Sequence, residues 1–375
     1  MKYLNLSSGA SYFPSPDFAV DRTIKALQKG ETFYGETEGL PALRTAISEY
    51  YLTEYLANIP EENILITAGT KQALHNLFSV LLQPGDEVIL PRPSWFGFPE
   101  LLQQAGARVV YLDTVLEENF DLVPEKLEEL ISPKTRLFIF SNPNNPTGRI
   151  YSKPEISALL QCLDKYPQVR VLSDEIYDQV IYEPASVNSL LQFPDPHQNH
   201  MVVSGFSKSF AMSGWRIGFI VAPTRIYKIS QQFQQATISG VNPFVQEGAV
   251  AMLANREQFL PGMLDVLSEN RAYILNWLKE HPDIRFFPPQ GTYYVFAELT
   301  NLLKKAFFKR RHIATTTEFC DFLKEKFNLE LVPGERFDCP GFVRITFAVT
   351  KADLEKALER LAKLIEKSKR EEINR

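Results

Sequence analysis

From about residue 63 onward, short apolar runs alternate with segments of helical spacing, and this alternation limits the folds open to the chain. The runs 64–67, 87–90, 108–111, 137–140, 170–173 and 201–203 read as strands. Helices are expected at 71–82, 99–105 and 154–165, with Pro154 suited to a first helical turn. Leu137-Phe138-Ile139-Phe140 carries no polar residue, as expected of a strand covered on both faces. The pattern argues for an α/β fold with a doubly wound, mainly parallel sheet. The C-terminal part differs. Runs at 293–297 and 343–347 read as strands with long helices between and after them. Leu354, Ala357, Leu358, Leu361, Leu364 and Ile365 recur at helical spacing within 353–367. A smaller α+β domain is expected there, joined by a long helix near 265–277. The charged tail 367–375 is expected to fray.

The 375 residues suffice for two domains. A net charge of -5 gives no basic field for nucleic acid. No apolar stretch reaches about 18 residues, so no membrane span is expected. Met1-Lys2-Tyr3-Leu4 has no signal-peptide pattern. Cys162, Cys320 and Cys339 lie far apart and read as free thiols of a reducing, cytoplasmic compartment. The histidines (75, 197, 200, 281 and 312) show no zinc spacing, so no metal is expected; His75 reads as packing or surface. The basic run 304–312 reads as a solvated loop or helix end.

One lysine stands apart. Lys208 lies in Ser207-Lys208-Ser209, between the apolar runs 201–203 and 217–221. A lysine on a turn between buried elements is desolvated, which disfavours its ammonium form and yields a candidate amine nucleophile. Arg216 follows and could hold a phosphate. A nucleophilic lysine beside a phosphate clamp suits a pyridoxal phosphate enzyme.

Other candidates fall just after predicted strands, the edge where open α/β sheets bind ligands. Gly69-Thr70-Lys71 is either a helix N-terminus facing an anion or a plain turn with Thr70 as its cap. Trp95 is either a core aromatic or a ring that stacks on a flat heterocycle. Asn145, in Asn142-Pro143-Asn144-Asn145-Pro146-Thr147-Gly148, lies in a stiff loop that positions a ligand or merely turns. Asp174 needs a positive partner after its apolar strand, unless it is only a cap, and Tyr177 follows three residues later. Arg344 sits in an apolar strand, where either a substrate carboxylate or an internal acid would pair with its planar fork.

Together these residues, in this order, resemble the class I/II aminotransferases, the fold type I pyridoxal phosphate enzymes, from about Leu4 to Leu364. The resemblance implies a large domain (34–270) with a mainly parallel seven-stranded sheet, a small C-terminal domain (271–375) and an N-terminal segment (1–33) joining the latter. It implies that Lys208 forms the Schiff base with pyridoxal 5'-phosphate and shuttles the proton. Arg216, Gly69 and Thr70, with Ser207, hold the phosphate. Trp95 stacks on the ring, Asp174 pairs with its nitrogen, and Asn145 and Tyr177 bond its phenolic oxygen. Arg344 takes the substrate α-carboxylate, and Gly9 lies in the substrate-side loop. Tyr34 reaches the phosphate of the neighbouring subunit, so a homodimer is implied.

Two departures stand out. Some members have a hydroxyl three positions before the lysine, where this chain has Gly205. The family often has a helical stretch before the position of Leu4, so dimer contacts from such an arm are expected to be absent. The segment from Gly69 to Leu74 looks like the bacterial and archaeal aspartate aminotransferase branch, in which Lys71 would meet a second carboxylate or simply sit on the helix surface. Aspartate with 2-oxoglutarate is the leading expectation. The aromatics Tyr12, Phe13, Phe96 and Phe98 keep an aromatic or broad-range aminotransferase open. A carbon–sulfur β-lyase would share these residues. A non-catalytic regulator would carry an added DNA-binding domain, for which no room is expected before Leu4.

Overall fold

Alternate residues of Thr135–Ser141 leave for opposite faces. Leu137 and Ile139 join a cluster with Leu74, Phe78 and Phe98, whereas Phe138 and Phe140 join the larger cluster containing Tyr151 and Val171. Both faces of the strand's middle are dry, which is why no polar residue interrupts 137–140. Each such fully buried side chain stabilises the fold by roughly 1.5–3 kcal/mol.

The computed structural model describes residues 2–373. Its strands, in chain order, are β1 (Leu4–Asn5), β2 (Ile64–Thr67), β3 (Glu87–Arg92), β4 (Arg108–Asp113), β5 (Thr135–Ser141), β6 (Arg170–Asp174), β7 (His200–Gly205), β8 (Gly218–Val221), β9 (Arg285–Phe286), β10 (Tyr294–Glu298), β11 (Leu329–Glu330), β12 (Val332–Pro333) and β13 (Phe342–Thr346). Seven of them form one sheet in the order β2-β8-β7-β6-β5-β3-β4. Only β8 runs against its neighbours. The C-terminal ends of β2, β3, β5, β6 and β7 therefore face the same edge, and the loops that leave it carry the candidate residues. An antiparallel sheet, β12-β13-β10-β9, stands apart, and β1 pairs in parallel with β11.

The predicted helices lie at Thr70–Leu81, Gly97–Gln104 and Lys153–Leu163. Ser152 and Glu155 close a reciprocal capping box on the last of these. The expected joining helix is longer, Arg256–Lys279, and continues through Pro261. Further helices at Asp17–Gln28, Pro41–Tyr55, Thr224–Thr237 and Pro243–Ala254 did not stand out in the sequence, whereas Thr316–Phe327 falls where a helix is expected between the two C-terminal strands. Pro243–Ala254 is apolar nearly all round because it packs against both Asp17–Gln28 and Pro41–Tyr55, which blurs a one-faced pattern.

One expectation is corrected. The helix Lys351–Ile373 runs through most of the stretch expected to fray, and residues 374 and 375 lie outside the described part. Arg310 and Arg311 of the basic run pair with Glu371 of that helix at 2.7 and 3.1 Å. Lys305 pairs with Asp283. The run is the exposed end of the short helix Ala306–Lys309, as expected, and some of its charges also pair with neighbouring acids. No helix among the described residues is long and apolar enough to cross a membrane.

Candidate active site

The loops at the sheet edge enclose a cavity of about 530 Å³, a size suited to a small-molecule site. Gly9, Thr70, Lys71, Trp95, Asn145, Asp174, Tyr177, Ser207, Lys208, Arg216 and Arg344 all line it.

Lys208 follows β7 on a tight loop. Ala211 there has φ +53°, and the Met212 amide donates back to the Phe206 carbonyl at 3.0 Å. Ser209 fastens the loop from below, donating to Asp178 Oδ1 at 2.8 Å and accepting from the Gln179 amide at 3.1 Å. Lys208 Nζ donates to the Gly9 carbonyl at 2.5 Å. Burial pushes its ammonium below the usual lysine range, and the nearby Arg344 and Arg216 add to that, against the opposing pull of Tyr294 and Asp174.

Asp174 ends β6. Its Oδ1 accepts only the Ile176 amide, at 3.2 Å. Burial, scarcely offset by that bond and by Lys208, raises its carboxyl to about 7. No ion pair reaches it among the described residues. Tyr177 and Tyr294 share a hydroxyl–hydroxyl bond of 2.8 Å. Burial holds the Tyr177 phenol well above its usual range.

Arg344 comes from β13, far along the chain, and meets the loop after β5. That loop is held by Asn142, which accepts from the Tyr151 amide at 2.9 Å, and by Gly148 at φ +72° against Pro289. Asn145 Oδ1 accepts from Arg344 Nη1 at 3.0 Å, and the Ser7 carbonyl accepts from Nη2 at 3.0 Å. The guanidinium lies 4.1 Å over the Tyr294 ring, and its buried Nε has no partner. No acid pairs with Arg344 among the described residues, so the internal salt bridge left open by the sequence is not formed. Asn145, expected at a ring oxygen, here braces the arginine.

Gly69, at φ +82°, is the cap of Thr70–Leu81, so Thr70 is the first helical residue and not the cap. A Cβ on Gly69 would stand 2.5 Å from Arg216 Nη2. Glycine is therefore what lets the arginine cross the helix N-terminus, leaving a guanidinium beside free amides. Arg216, itself at φ +55°, donates to the Ser213 carbonyl at 2.9 Å. Trp95 packs its edge on Phe98, 5.3 Å between centroids, and Gly97 leaves room for the indole. Lys71 is exposed, with Nζ 5.5 Å from the Trp95 ring centroid.

Gly205 faces Gly218 across β7 and β8, where a Cβ would lie 2.6 Å from the Gly218 Cα. No hydroxyl fits there. Tyr34 does not line the cavity of its own chain and is 96% exposed. Of the four aromatics expected near a substrate ring, only Phe96 lines the cavity; Phe98 is buried in the core cluster. Sequence reasoning missed Tyr293 and Tyr294, which donate to the Gly9 carbonyl at 2.7 and 3.4 Å. Two adjacent tyrosines opening a buried strand were a usable signal. His75 is exposed on its helix, near Phe233.

The family described as aminotransferase class I and II matches residues 1–361. The aspartate/prephenate aminotransferase of Nitrosomonas europaea is 31% identical over 364 residues, 96% of this chain and 92% of that one. Among solved structures, the aspartate aminotransferase of Rhizobium meliloti is 30% identical with a TM-score of 0.92, covering 97% of this chain and 91% of that one. The aromatic aminotransferase of Pyrococcus horikoshii is 28% identical with a TM-score of 0.91, covering 98% and 96%.

Proposed function

The chain belongs to the class I and II aminotransferases, a family that uses pyridoxal 5'-phosphate, and from that premise we propose that it transfers the amino group of L-aspartate to 2-oxoglutarate. The residues present fit the cofactor: a buried Asp174 without a cationic bond, a guanidinium across a helix N-terminus, and a desolvated lysine line one cavity. Asp174 would hold the ring nitrogen, Trp95 the ring face, and Arg216, Gly69, Thr70 and Ser207 the phosphate. Tyr177 would hold the phenolic oxygen, with Asn145 beside it. When bound, the cofactor supplies an electrophilic carbon for the amine and a ring that takes up the electron pair released with the α-proton.

The protein's own part follows from the geometry. Arg344 grips the α-carboxylate with the N–H groups its neutral partners leave free, which orients the α-C–H bond. Lys208 Nζ, whose ammonium form burial disfavours, takes that proton and later returns it. The Gly9 carbonyl steers Nζ. Asp174, beside a cation, stays ionised and keeps that cation protonated.

The observation that carries this reading is Arg344, a buried arginine with no acid beside it. It supports a carboxylate substrate. An aromatic amino donor is the second reading, supported by the wall formed by Trp95 and Phe96 and by the similarity to the Pyrococcus enzyme. A donor screen with 2-oxoglutarate separates the two. Aspartate should give the highest kcat/KM and parallel initial-rate lines in a ping-pong pattern. A preference for phenylalanine would favour the second reading.

A homodimer is part of the proposal. Phe33 and Tyr34 are 84% and 96% exposed, an apolar pair that a second copy would cover, with Tyr34 reaching the neighbouring phosphate. The free cysteines support a cytoplasmic site.

A further inference from the structure

The cavity carries a cation that the roles above leave unused. Arg336 lies on the helical turn Gly334–Phe337, and the turn is fixed on both sides of it. Glu335 accepts the Thr316 amide at 3.0 Å and also its hydroxyl. Phe337 is buried, its ring 5.5 Å from Phe96 and 5.2 Å from the Arg344 guanidinium. Gly334 closes the turn where a Cβ would meet the Cys339 carbonyl at 2.2 Å. Residue 336 is thereby aimed at the cavity, among Lys71, Trp95, Phe96 and Arg344.

Its guanidinium carbon stands 4.1 Å over the Phe96 ring. It makes no hydrogen bond or ion pair among the described residues. Several other cations find acids: Arg92 pairs with Asp113, Arg285 with Glu117, and Lys324, on the same cavity, with Glu330. Stacking occupies one face of the guanidinium and leaves its edge of N–H donors free.

We infer that Arg336 binds the second carboxylate of a dicarboxylate substrate and so sets the preference for acidic over neutral amino acids. The two guanidiniums sit on adjoining rings of one cavity: Arg336 over Phe96 and Arg344 over Phe337, whose centroids lie 5.5 Å apart. Lys71, over Trp95, adds charge without the planar fork. The inference rests on the aspartate reading and adds the residue that selects it.

The test compares kcat/KM for L-aspartate and L-alanine, with 2-oxoglutarate as acceptor, in the wild-type holoenzyme, Arg336→Gln and Arg336→Lys. Maleate, a dicarboxylate without an amino group, serves as inhibitor. Arg336→Gln should lower the aspartate-to-alanine ratio by about tenfold or more, through KM rather than kcat, and raise the maleate inhibition constant similarly. Arg336→Lys should recover part of both. Retention of the cofactor band shows that a variant is folded; if Arg336→Gln loses it, Arg336→Lys alone carries the comparison. A wild type that prefers aspartate, with a ratio unchanged in the variants, overturns this inference only. So does an equal fall for both donors. A wild type that prefers alanine overturns this inference and the aspartate reading together.

Discussion

Asp174 and Asp178 sit on one turn, both buried, and they are held in opposite ways. Asp178 accepts hydrogen bonds from Tyr50, from Tyr55 at 3.2 Å and from Ser209 at 2.8 Å. Asp174 accepts one backbone amide. The arginines beside the loop after β5 divide likewise. Arg149 is paired with Asp121 at 2.8 Å and with Glu155, and bonds Gln290 at 3.2 Å. Arg344, more deeply buried, has two neutral oxygens and an idle Nε. Buried charges normally find full partners, because an unmatched one costs several kcal/mol. Where the chain completes its charges itself, it is building structure. Where it leaves them incomplete around a cavity, a ligand completes them.

The largest expected effect is at Lys208. Lys208→Ala should lower transamination by about 10⁴-fold or more, since it removes both nucleophile and proton carrier, and the yellow cofactor band should be lost. Initial rates and an absorbance spectrum check both.

The arginines allow a crossed test. Arg344→Gln should lower kcat/KM by about 10²–10³-fold, equivalent to two charge-assisted bonds, with little change in Tm. Arg149→Gln should leave kcat/KM within about threefold yet destabilise by roughly 2–4 kcal/mol, because Asp121 and Glu155 lose their partner. Denaturant titration and steady-state kinetics on both variants decide it. Equal stability losses would erase the distinction.

A smaller effect concerns pH. Burial raises Asp174 to about 7 and Glu175 to about 8 in the fold. Below about pH 3 both are largely neutral in the folded and unfolded chain, and their burial carries no penalty. As pH rises the unfolded carboxyls ionise first, so their stabilising contribution is lost progressively until the folded groups ionise too. Cofactor-free protein should therefore lose roughly 4 kcal/mol from Glu175 between pH 4.5 and 8, and Glu175→Gln should flatten that part of the profile. For Asp174, bound cofactor should reverse the trend, since a cation beside the carboxylate favours its charged form.

The sequence made the strand ends legible because apolar runs covered on both faces are a local signal. Lys208, Asp174, Asn145, Trp95 and Thr70 each follow such a run, and all five line the cavity. The same logic did not reach what lies between distant segments. Gly9 meets Tyr293 and Tyr294 only because the N-terminal loop folds back over β10, and no periodicity encodes that contact. The tyrosines around Asp178 lie on a helix that leaves little trace in the sequence, since Pro41–Tyr55 has only a weakly one-sided apolar pattern. The charged stretch before Ile373 read as frayed because Arg310 and Arg311, which pair with it, lie in another segment. Nothing in the sequence around Arg336 marks it out; only the fold brings it to the cavity.

The most direct test adds L-aspartate, without any oxo acid, to the purified holoenzyme and follows the yellow band together with the products. An aminotransferase should turn over once: the band is lost, one equivalent of the four-carbon 2-oxo acid appears per site, and 2-oxoglutarate restores the band. An unchanged band, or continued release of ammonia without an acceptor, would contradict it.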